Sequence, residues 1–259
     1  VNKIMGAIES TLYLAGAAGA DMGVATKMMA RTFAQFNLEA KDATTVADTF
    51  TVAMQNSLLD IESLDTSMRY AGAGAGAFGW KIQDTTAAVA LFMDQTGLGS
   101  TAGTQFRHVL LSLAGPTKRA KEVIKSLADA HNTLNGEQNE TYETIRKKLN
   151  PAESDFKTIM ETLKPIMHDH EAVLALVNKR SSGSLQKILK DFHQGTSKYE
   201  ELLEKMEVQQ GQAQRTYLRQ INSVEGQTKI LRSKIEESQL SLFDTFKKNY
   251  QEFVTSLGN

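Results

Sequence analysis

Apolar residues recur every three or four positions along much of this 259-residue chain. Ile4, Ile8 and Leu12 follow this spacing near the start, and Ile61 and Leu64 begin a later stretch. Such spacing places apolar side chains on one face of a helix. A strict alternation of apolar and polar residues, which would indicate strands, does not persist anywhere in the sequence. The pattern predicts an all-α fold, in which a bundle of short helices is followed by one long amphipathic helix.

Residues that cap or break helices divide the first half of the chain. Gly19 can end the first helix, because glycine readily adopts the left-handed conformation that follows helix ends. Asp21 and Asp60 can each start a helix by accepting hydrogen bonds from exposed backbone N–H groups. Asn37 breaks one helix, and Gly115-Pro116 stops another. Several short helices are therefore predicted here.

The middle of the chain is less regular. A polar stretch at 131–150 contains Asn135-Gly136 and is predicted to form a loop or a small insertion. Residues 152–192 return to helical spacing, with breaks predicted at Pro165 and at Ser181-Ser182-Gly183.

The last part of the chain lacks proline, is dense in charge and keeps a regular apolar spacing. It indicates an amphipathic helix of about 45 residues, about 70 Å long at the rise of an α-helix. Thr228 and Ser238 interrupt the apolar seam. This favours a helix docked on the bundle or on another copy over an autonomous coiled coil. The predicted contacts on this seam are Leu231, Ile235, Leu242 and Phe246.

Together these patterns predict three segments. They are a helical core domain at 1–130, a helical extension with a polar loop at 131–195, and the long amphipathic helix at 196–259. Because the chain starts at Val1 and not at Met, we expect a fragment of a longer polypeptide.

Composition excludes several kinds of protein. Lys and Arg number 29 against 30 Asp and Glu, so no nucleic-acid or anionic-membrane surface is predicted. The absence of cysteine excludes disulfides, thiolate metal sites and cysteine nucleophiles. The apolar stretch at 4–30 is interrupted by Glu9, Asp21 and Lys27, which argues against a membrane-spanning helix.

Residues 71–77 alternate Ala and Gly, and the glycine-rich stretch 71–80 resembles a phosphate-binding loop. Such a loop ends in Gly-Lys-Ser/Thr or follows a strand, and neither feature is present. Close helix packing or a flexible hinge is the better interpretation, because each glycine costs a helix about 1 kcal/mol relative to Ala. Gly72, Gly74 and Gly76 are the packing positions predicted from this stretch.

The cluster His168-Asp169-His170-Glu171 suggests a metal site at first sight. Residues two apart on a helix face away from each other, so the two imidazoles cannot share one ion. The sequence also lacks His-Glu-x-x-His and Gly-x-Ser-x-Gly motifs. We predict a solvated helix start at this cluster, no cofactor, and a structural protein with no enzyme activity.

Five blocks of residues follow one another in a particular order and spacing. They are Phe36–Asp48, Leu64–Gly72, Gly79–Ala88, Gly97 with Ala102–Arg107, and Leu113–Ala120. Taken together they resemble the core domain of phage tail tape measure proteins. The resemblance is strong over 30–128 and thin over 129–259, where Leu176–Leu185 gives a weaker echo.

The most distinctive block is Ala102-Gly103-Thr104-Gln105-Phe106-Arg107. From it we predict Gly103, Thr104, Phe106 and Arg107 as packing or partner contacts. Two interpretations of Arg107 stay open. Its guanidinium contacts a partner, or it caps the C-terminus of a neighbouring helix.

The resemblance implies a structural role in a phage tail or a phage-tail-like particle. Proteins of this family fill the lumen of the growing tail, template polymerisation of tail-tube subunits, set tail length and leave ahead of the DNA. The implied partners are the tail-tube protein, tail-tip or baseplate hub proteins, tail assembly chaperones and further copies of the chain, three in all. The implied locations are the host cytoplasm during assembly and the tail lumen of the virion.

Two other functions stay open at this level. A membrane-active or pore-forming protein could use small-residue helices that associate in a bilayer, with transient host-membrane contact during genome passage. A helical signalling or coiled-coil scaffold would explain 196–257, but it would not explain the blocks between 36 and 120.

Overall fold

All the secondary structure in the described part of the chain is helical, which confirms the predicted all-α class. The computed structural model describes residues 2–135, 140–193 and 197–223, and also 226–228 and 233. Two short 3₁₀ turns lie at Ala40–Asp42 and Lys164–Ile166. The α-helices are α1 (Asn2–Ala18), α2 (Met22–Phe36), α3 (Ala43–Asn56), α4 (Ile61–Ala77), α5 (Ile82–Thr96), α6 (Gly99–Ala114), α7 (Lys118–Asn135), α8 (Tyr142–Lys148), α9 (Phe156–Thr162), α10 (His170–Leu176), α11 (Lys179–His193), α12 (Lys198–Val208) and α13 (Gln212–Ile221).

Local capping fixes the ends of the first helices. Gly19 ends α1 with a φ of 62°, and the Asp21 carboxylate starts α2 by accepting a backbone N–H at 2.7 Å. Asn37 ends α2 in the left-handed conformation, with a φ of 51°. Asp60 starts α4, and hydrogen bonds from the Ser63 hydroxyl and N–H lower the pKa of its carboxyl. The helix boundaries predicted at these residues are confirmed.

Helices α4 and α6 cross with their backbones in contact. A Cβ added to Gly99 would lie 2.4 Å from the Ser63 carbonyl oxygen, and one added to Gly103 would lie 2.3 Å from that of Ser67. The Ser67 hydroxyl donates to the Gly99 carbonyl at 2.8 Å. Because only glycine fits at both positions, these four residues set the crossing of the two helices. We refer to them as the α4–α6 seam.

One hydrophobic core extends from Leu14 in α1 to Ala213 in α13. Within it, an aromatic cluster joins helices that are far apart in sequence, and Trp80 donates its indole N–H to the Pro151 carbonyl at 2.7 Å. All three segments predicted from the sequence contribute to this core. The cluster consists of Trp80, Phe92, Phe106, Phe156 and Tyr199.

The loop within 131–150 is shorter than predicted. Helix α7 continues to Asn135, and α8 begins after Thr141, whose hydroxyl accepts the Thr144 N–H at 3.2 Å. Ile145 is fully buried and anchors α8, a tertiary contact that the polar composition does not reveal. Residues 136–139 are outside the described part of the chain.

The predicted long helix is divided near its start. Helix α12 ends at Val208, and Gly211, with a φ of 75°, precedes α13. The buried carboxylate of Asp48 in α3 accepts the N–H groups of Gly211 and Ala213 at 2.7 and 2.8 Å. The chain turns at Gly211 to bring α13 to this carboxylate, so residues 197–223 form two helices. The predicted seam residues Leu231, Ile235, Leu242 and Phe246 lie outside the described residues.

Candidate functional site

Helix α6 has one face in the core and another on the surface. Gly103 lies in the α4–α6 seam, and Phe106 is fully buried in the aromatic cluster. Thr104 is half-buried, Arg107 is exposed, and Leu111 is 47% exposed to solvent. The predicted contacts at 103–107 therefore divide into two residues that pack inside the protein and two that face outward.

The glycines of α4 also divide into two groups. A Cβ on Gly76 would lie 2.0 Å from the Gln35 carbonyl oxygen, and one on Gly72 would lie 2.4 Å from the Gln35 side-chain oxygen. A Cβ on Gly74 would meet nothing within 4 Å. Gly72 and Gly76 thus allow α2 to approach α4, whereas Gly74 faces open space. The helix continues through all three glycines to Ala77.

Arg107 does not cap any described helix. Its side chain makes no hydrogen bond or ion pair with the described residues. An arginine that does cap a neighbouring helix is Arg146 of α8, whose guanidinium donates to the carbonyl of Ala114 at the end of α6, at 2.7 Å. Neither role predicted for Arg107 is seen among the described residues, so both interpretations stay predictions.

A groove of about 430 Å³ lies between α4, α6 and α11. Helix α11 passes unbroken through 181–183, contrary to the predicted break, because Ser181 is buried against α6 and donates its hydroxyl to the Gln105 carbonyl at 3.3 Å. None of the described residues that line this groove is acidic. Its lining residues are Tyr70, Ser100, Thr101, Thr104, Gln105, His108, Arg180 and Ser181.

Hydrogen bonds at the start of α11 fix one wall of the groove. The side-chain oxygen of Asn178 accepts the Ser181 N–H at 3.0 Å, so its amide nitrogen is the atom that donates to His108 Nδ1. This arrangement assigns the imidazole proton of His108 to Nε2. Asn178 thereby couples the position of α11 to the His108 ring on α6.

Several polar groups in the groove have no partner among the described residues. The Gln105 side-chain oxygen is buried and accepts no hydrogen bond. The Arg180 guanidinium is exposed and makes no ion pair. The Thr104 hydroxyl makes no hydrogen bond either. Buried polar atoms normally have partners, so the unpaired Gln105 oxygen is an exception, and we take the groove beside it as the candidate site.

The sequence did not point to the groove as a whole. Thr104 was a predicted contact, but Tyr70 and Arg180 were not. The three residues are far apart along the chain and come together only when α4, α6 and α11 pack. One feature of the sequence pointed to Arg180. It lies within residues 176–185, where the family resemblance described above continues more weakly.

The His168–Glu171 cluster lies on the surface and starts α10, as predicted. Asp169 accepts the Ala172 N–H at 3.0 Å, and Glu171 pairs with Arg119 at 3.0 Å. In the described ranges no set of His, Asp and Glu side chains is arranged to hold a metal ion. Across the same ranges, no helix has both the length and the apolar character needed to cross a membrane.

A buried polar pair that the sequence did not reveal attaches α12 to α5. The Tyr199 hydroxyl donates to the Asp84 carboxylate at 2.8 Å. Burial raises the pKa of Asp84, and the hydrogen bond from Tyr199 opposes this rise. Burial also raises the pKa of the Tyr199 hydroxyl, as does the nearby Asp84 charge. The pair lies beside the aromatic cluster and contributes to packing.

Comparison with known proteins identifies phage proteins that are similar in sequence to this chain. A tape measure protein of Pneumococcus phage Dp-1 is 32% identical over 136 residues, which cover 52% of this chain and 12% of that protein. A probable tape measure protein of Escherichia phage P2 is 26% identical over 213 residues, which cover 80% of this chain and 26% of that protein. The chain thus spans at most about a quarter of these relatives. No solved structure matches the chain significantly.

The family model for phage-related minor tail proteins matches residues 1–239. This match extends well beyond the five blocks at 36–120, and the resemblance to tape measure proteins is confirmed. The chain therefore belongs to the phage-related minor tail protein family.

Proposed function

We propose that this chain is a folded module of a tape measure protein that occupies the tail-tube lumen, templates tube assembly, sets tail length and leaves ahead of the DNA. The observation that carries the proposal is the match of 80% of the chain to a probable tape measure protein nearly four times as long as the matched part. The chain therefore corresponds to one part of such a protein.

The module itself contributes little to a length measurement. A ruler converts residues into distance when the chain is extended, at about 1.5 Å per residue for an α-helix. Here the helices fold back on one core, and the longest described helix, α7, has 18 residues. We therefore assign the measuring role to other parts of the polypeptide and an end or docking role to this module.

The proposed partners are the tail-tube protein, tail-tip or baseplate hub proteins, assembly chaperones and further copies of the chain. One end of the α4–α6 pair offers apolar contacts for such partners. Leu58 lies before α4 and keeps 64% of its surface, and Leu98 lies before α6 and keeps 63%. Gly99 contacts Ser63, so both leucines lie near the start of the same helix pair.

Tail length in the phage that encodes the chain tests the proposal. Duplicating about 40 helical residues outside residues 1–239 should lengthen the tail by about 60 Å, measured by electron microscopy. A duplication of α6 is the control. It should disrupt the α4–α6 seam and reduce the yield of tails without lengthening them. Tails of unchanged length after the outside duplication would contradict the measuring role.

A further inference from the structure

Helix α13 covers a surface formed by α1 and α3 and is joined to α12 by a short connection. We propose that α13 exchanges between copies of this chain, so that α13 of each copy docks on α1 and α3 of the other. The partner is thus a second molecule of the same chain, and the docking surface is the one that α13 covers within a single chain. This inference goes beyond the length-setting role and does not depend on it.

The connection between α12 and α13 can act as a hinge. It consists of residues 209–211, and Gly211 adopts a φ of 75°. Glycine adopts this conformation with little strain, whereas a residue with a Cβ usually does not. The turn that returns α13 to its own chain therefore depends on one residue. When the hinge is extended, its three residues span about 10 Å and carry α13 away from its own chain.

Helix α12 stays with the body of the protein when the hinge opens, because its anchors are apolar. Tyr199, Leu202 and Met206 are buried in the hydrophobic core. The Tyr199 ring packs on Phe156, with ring centroids 4.9 Å apart. Withdrawing α12 would expose these side chains to water, which is unfavourable. The chain therefore opens after α12 and not before it.

Helix α13 is held mainly by hydrogen bonds between side chains. Gln55 of α3 donates to the Thr216 hydroxyl at 2.8 Å and accepts from the Gln212 side chain at 2.7 Å. The buried side chains of α13 are those of Ala213 and Thr216, and both are small. Water can replace hydrogen bonds of this kind at a small net cost. Release of α13 therefore exposes much less apolar surface than release of α12 would.

The surface under α13 is shaped for this helix in particular. On α1, Gly16 leaves the space that the Tyr217 ring fills, since a Cβ on Gly16 would lie 2.0 Å from that ring. On α3, the buried Asp48 carboxylate accepts the N–H groups of Gly211 and Ala213 at 2.7 and 2.8 Å. Once uncovered, this surface favours a helix that offers free N–H groups and then an aromatic ring. Every copy of the chain carries such a helix in α13.

The exchanged dimer keeps the contacts of the single chain. Each α13 meets Gly16, Asp48 and Gln55 of the other copy in place of its own, and only the hinge changes its conformation. The balance between the two forms is therefore set by the hinge and by the translational freedom that two copies lose when they associate. A higher protein concentration favours the dimer by mass action.

Engineered cysteines can detect the exchange, because the chain contains none of its own. A Cβ at position 16 would lie 3.2 Å from the Tyr217 Cγ, so cysteines at 16 and 217 are near disulfide distance. The full chain with Gly16→Cys is incubated at high concentration with the full chain carrying Tyr217→Cys, and the mixture is then oxidised. We expect a covalent dimer whose disulfide joins positions 16 and 217, identified by mass spectrometry.

Two controls accompany this experiment. The double variant Gly16→Cys with Tyr217→Cys, oxidised in dilute solution, should form the same disulfide within one chain. Replacing Tyr217→Cys in the mixture by Leu218→Cys gives the matched control, because Leu218 is the next residue of α13 and is exposed. This mixture should give at least about tenfold less dimer, since its cysteine meets position 16 only by random collision.

Gly211→Val tests the hinge without cysteines. Valine strains the turn at a φ of 75° but fits an extended hinge, so the association constant of the dimer should rise about tenfold or more. Size-exclusion chromatography with light scattering measures the dimer fraction over a range of concentrations. Gly183→Val is the control, because a Cβ on Gly183 in α11 meets nothing within 4 Å. It should leave the dimer fraction unchanged, and thermal unfolding should show that all variants are folded.

Three results would overturn the proposal. The first is a disulfide in the double variant but none between chains in the mixture. The second is an equal yield of dimer with Leu218→Cys, and the third is an equal dimer fraction in Gly211→Val and Gly183→Val. If the double variant forms no disulfide, the two valine variants alone decide the question.

Discussion

Two contacts between helices in this protein rest on different physics. In the α4–α6 seam, backbone meets backbone, and the volume at Gly99 and Gly103 decides whether the helices fit. Helix α13, in contrast, is attached to α3 largely through polar groups. The Asp48 carboxylate caps it, and Gln55 donates to the Thr216 hydroxyl at 2.8 Å. The seam should therefore be sensitive to added volume, and the α13 attachment to the loss of an acceptor.

The largest expected effect is at the seam. Gly103→Ala adds a Cβ that would lie 2.3 Å from a backbone oxygen, so the helices must move apart. We expect a loss of about 3 kcal/mol in the free energy of unfolding, measured by urea denaturation. Gly74→Ala is the control, because its Cβ meets open space and removes a helical glycine. It should stabilise the protein by up to about 1 kcal/mol. Equal effects at the two glycines would contradict the seam as described.

A smaller and more local effect is expected at α13. Asp48→Ala leaves the N–H groups of Gly211 and Ala213 without their acceptor, at a cost of about 2 kcal/mol. Asp48→Asn keeps one acceptor oxygen and should cost less. Hydrogen exchange should increase in α13, while α4 and α6 stay protected. Increased exchange throughout the protein would show that the two contacts are not separate.

The smallest effect is expected at α12, which is attached to α5 by the hydrogen bond from Tyr199 to Asp84 and should respond to pH. Burial raises the pKa of Asp84 in the folded protein, because it favours the neutral carboxyl. The contribution of the neutral carboxyl to stability is therefore fully present below the unfolded pKa of about 4. It is lost as pH rises through the folded pKa. Asp84→Asn keeps an acceptor for Tyr199 but cannot ionise. The stability of the variant relative to the unmodified chain should therefore rise with pH above about 4. Unfolding curves measured across this range would contradict the expectation if the difference stayed constant.

Local chemistry explains which parts of the fold the sequence predicts. Asp21, Asn37 and Asp60 mark helix ends through their own caps, and these ends agree with the structure. The predicted break at 181–183 fails because Ser181 and Ser182 are buried, and this tertiary contact outweighs the local preference of Ser and Gly for turns.

The candidate site was less accessible from the sequence. Thr104 and Arg107 lie in the most distinctive block, and the structure places both on the outer face of α6. Thr104 lines the groove with residues from α4 and α11 as well as α6, and no periodic pattern records which helices meet. The cap that Arg146 provides at the end of α6 was not predicted, for the same reason.

The pairing of α1 with α13 determines how the module responds to force. Tyr13 lies beside Tyr217, and the Ala17 carbonyl accepts from the Gln220 side chain at 2.9 Å, so the two helices run in the same direction. Tension applied at residue 2 and residue 223 would therefore load this contact in shear along its length instead of peeling it open from one end. Under such tension α13 would have to slide past α1 before the α4–α6 seam bears the load.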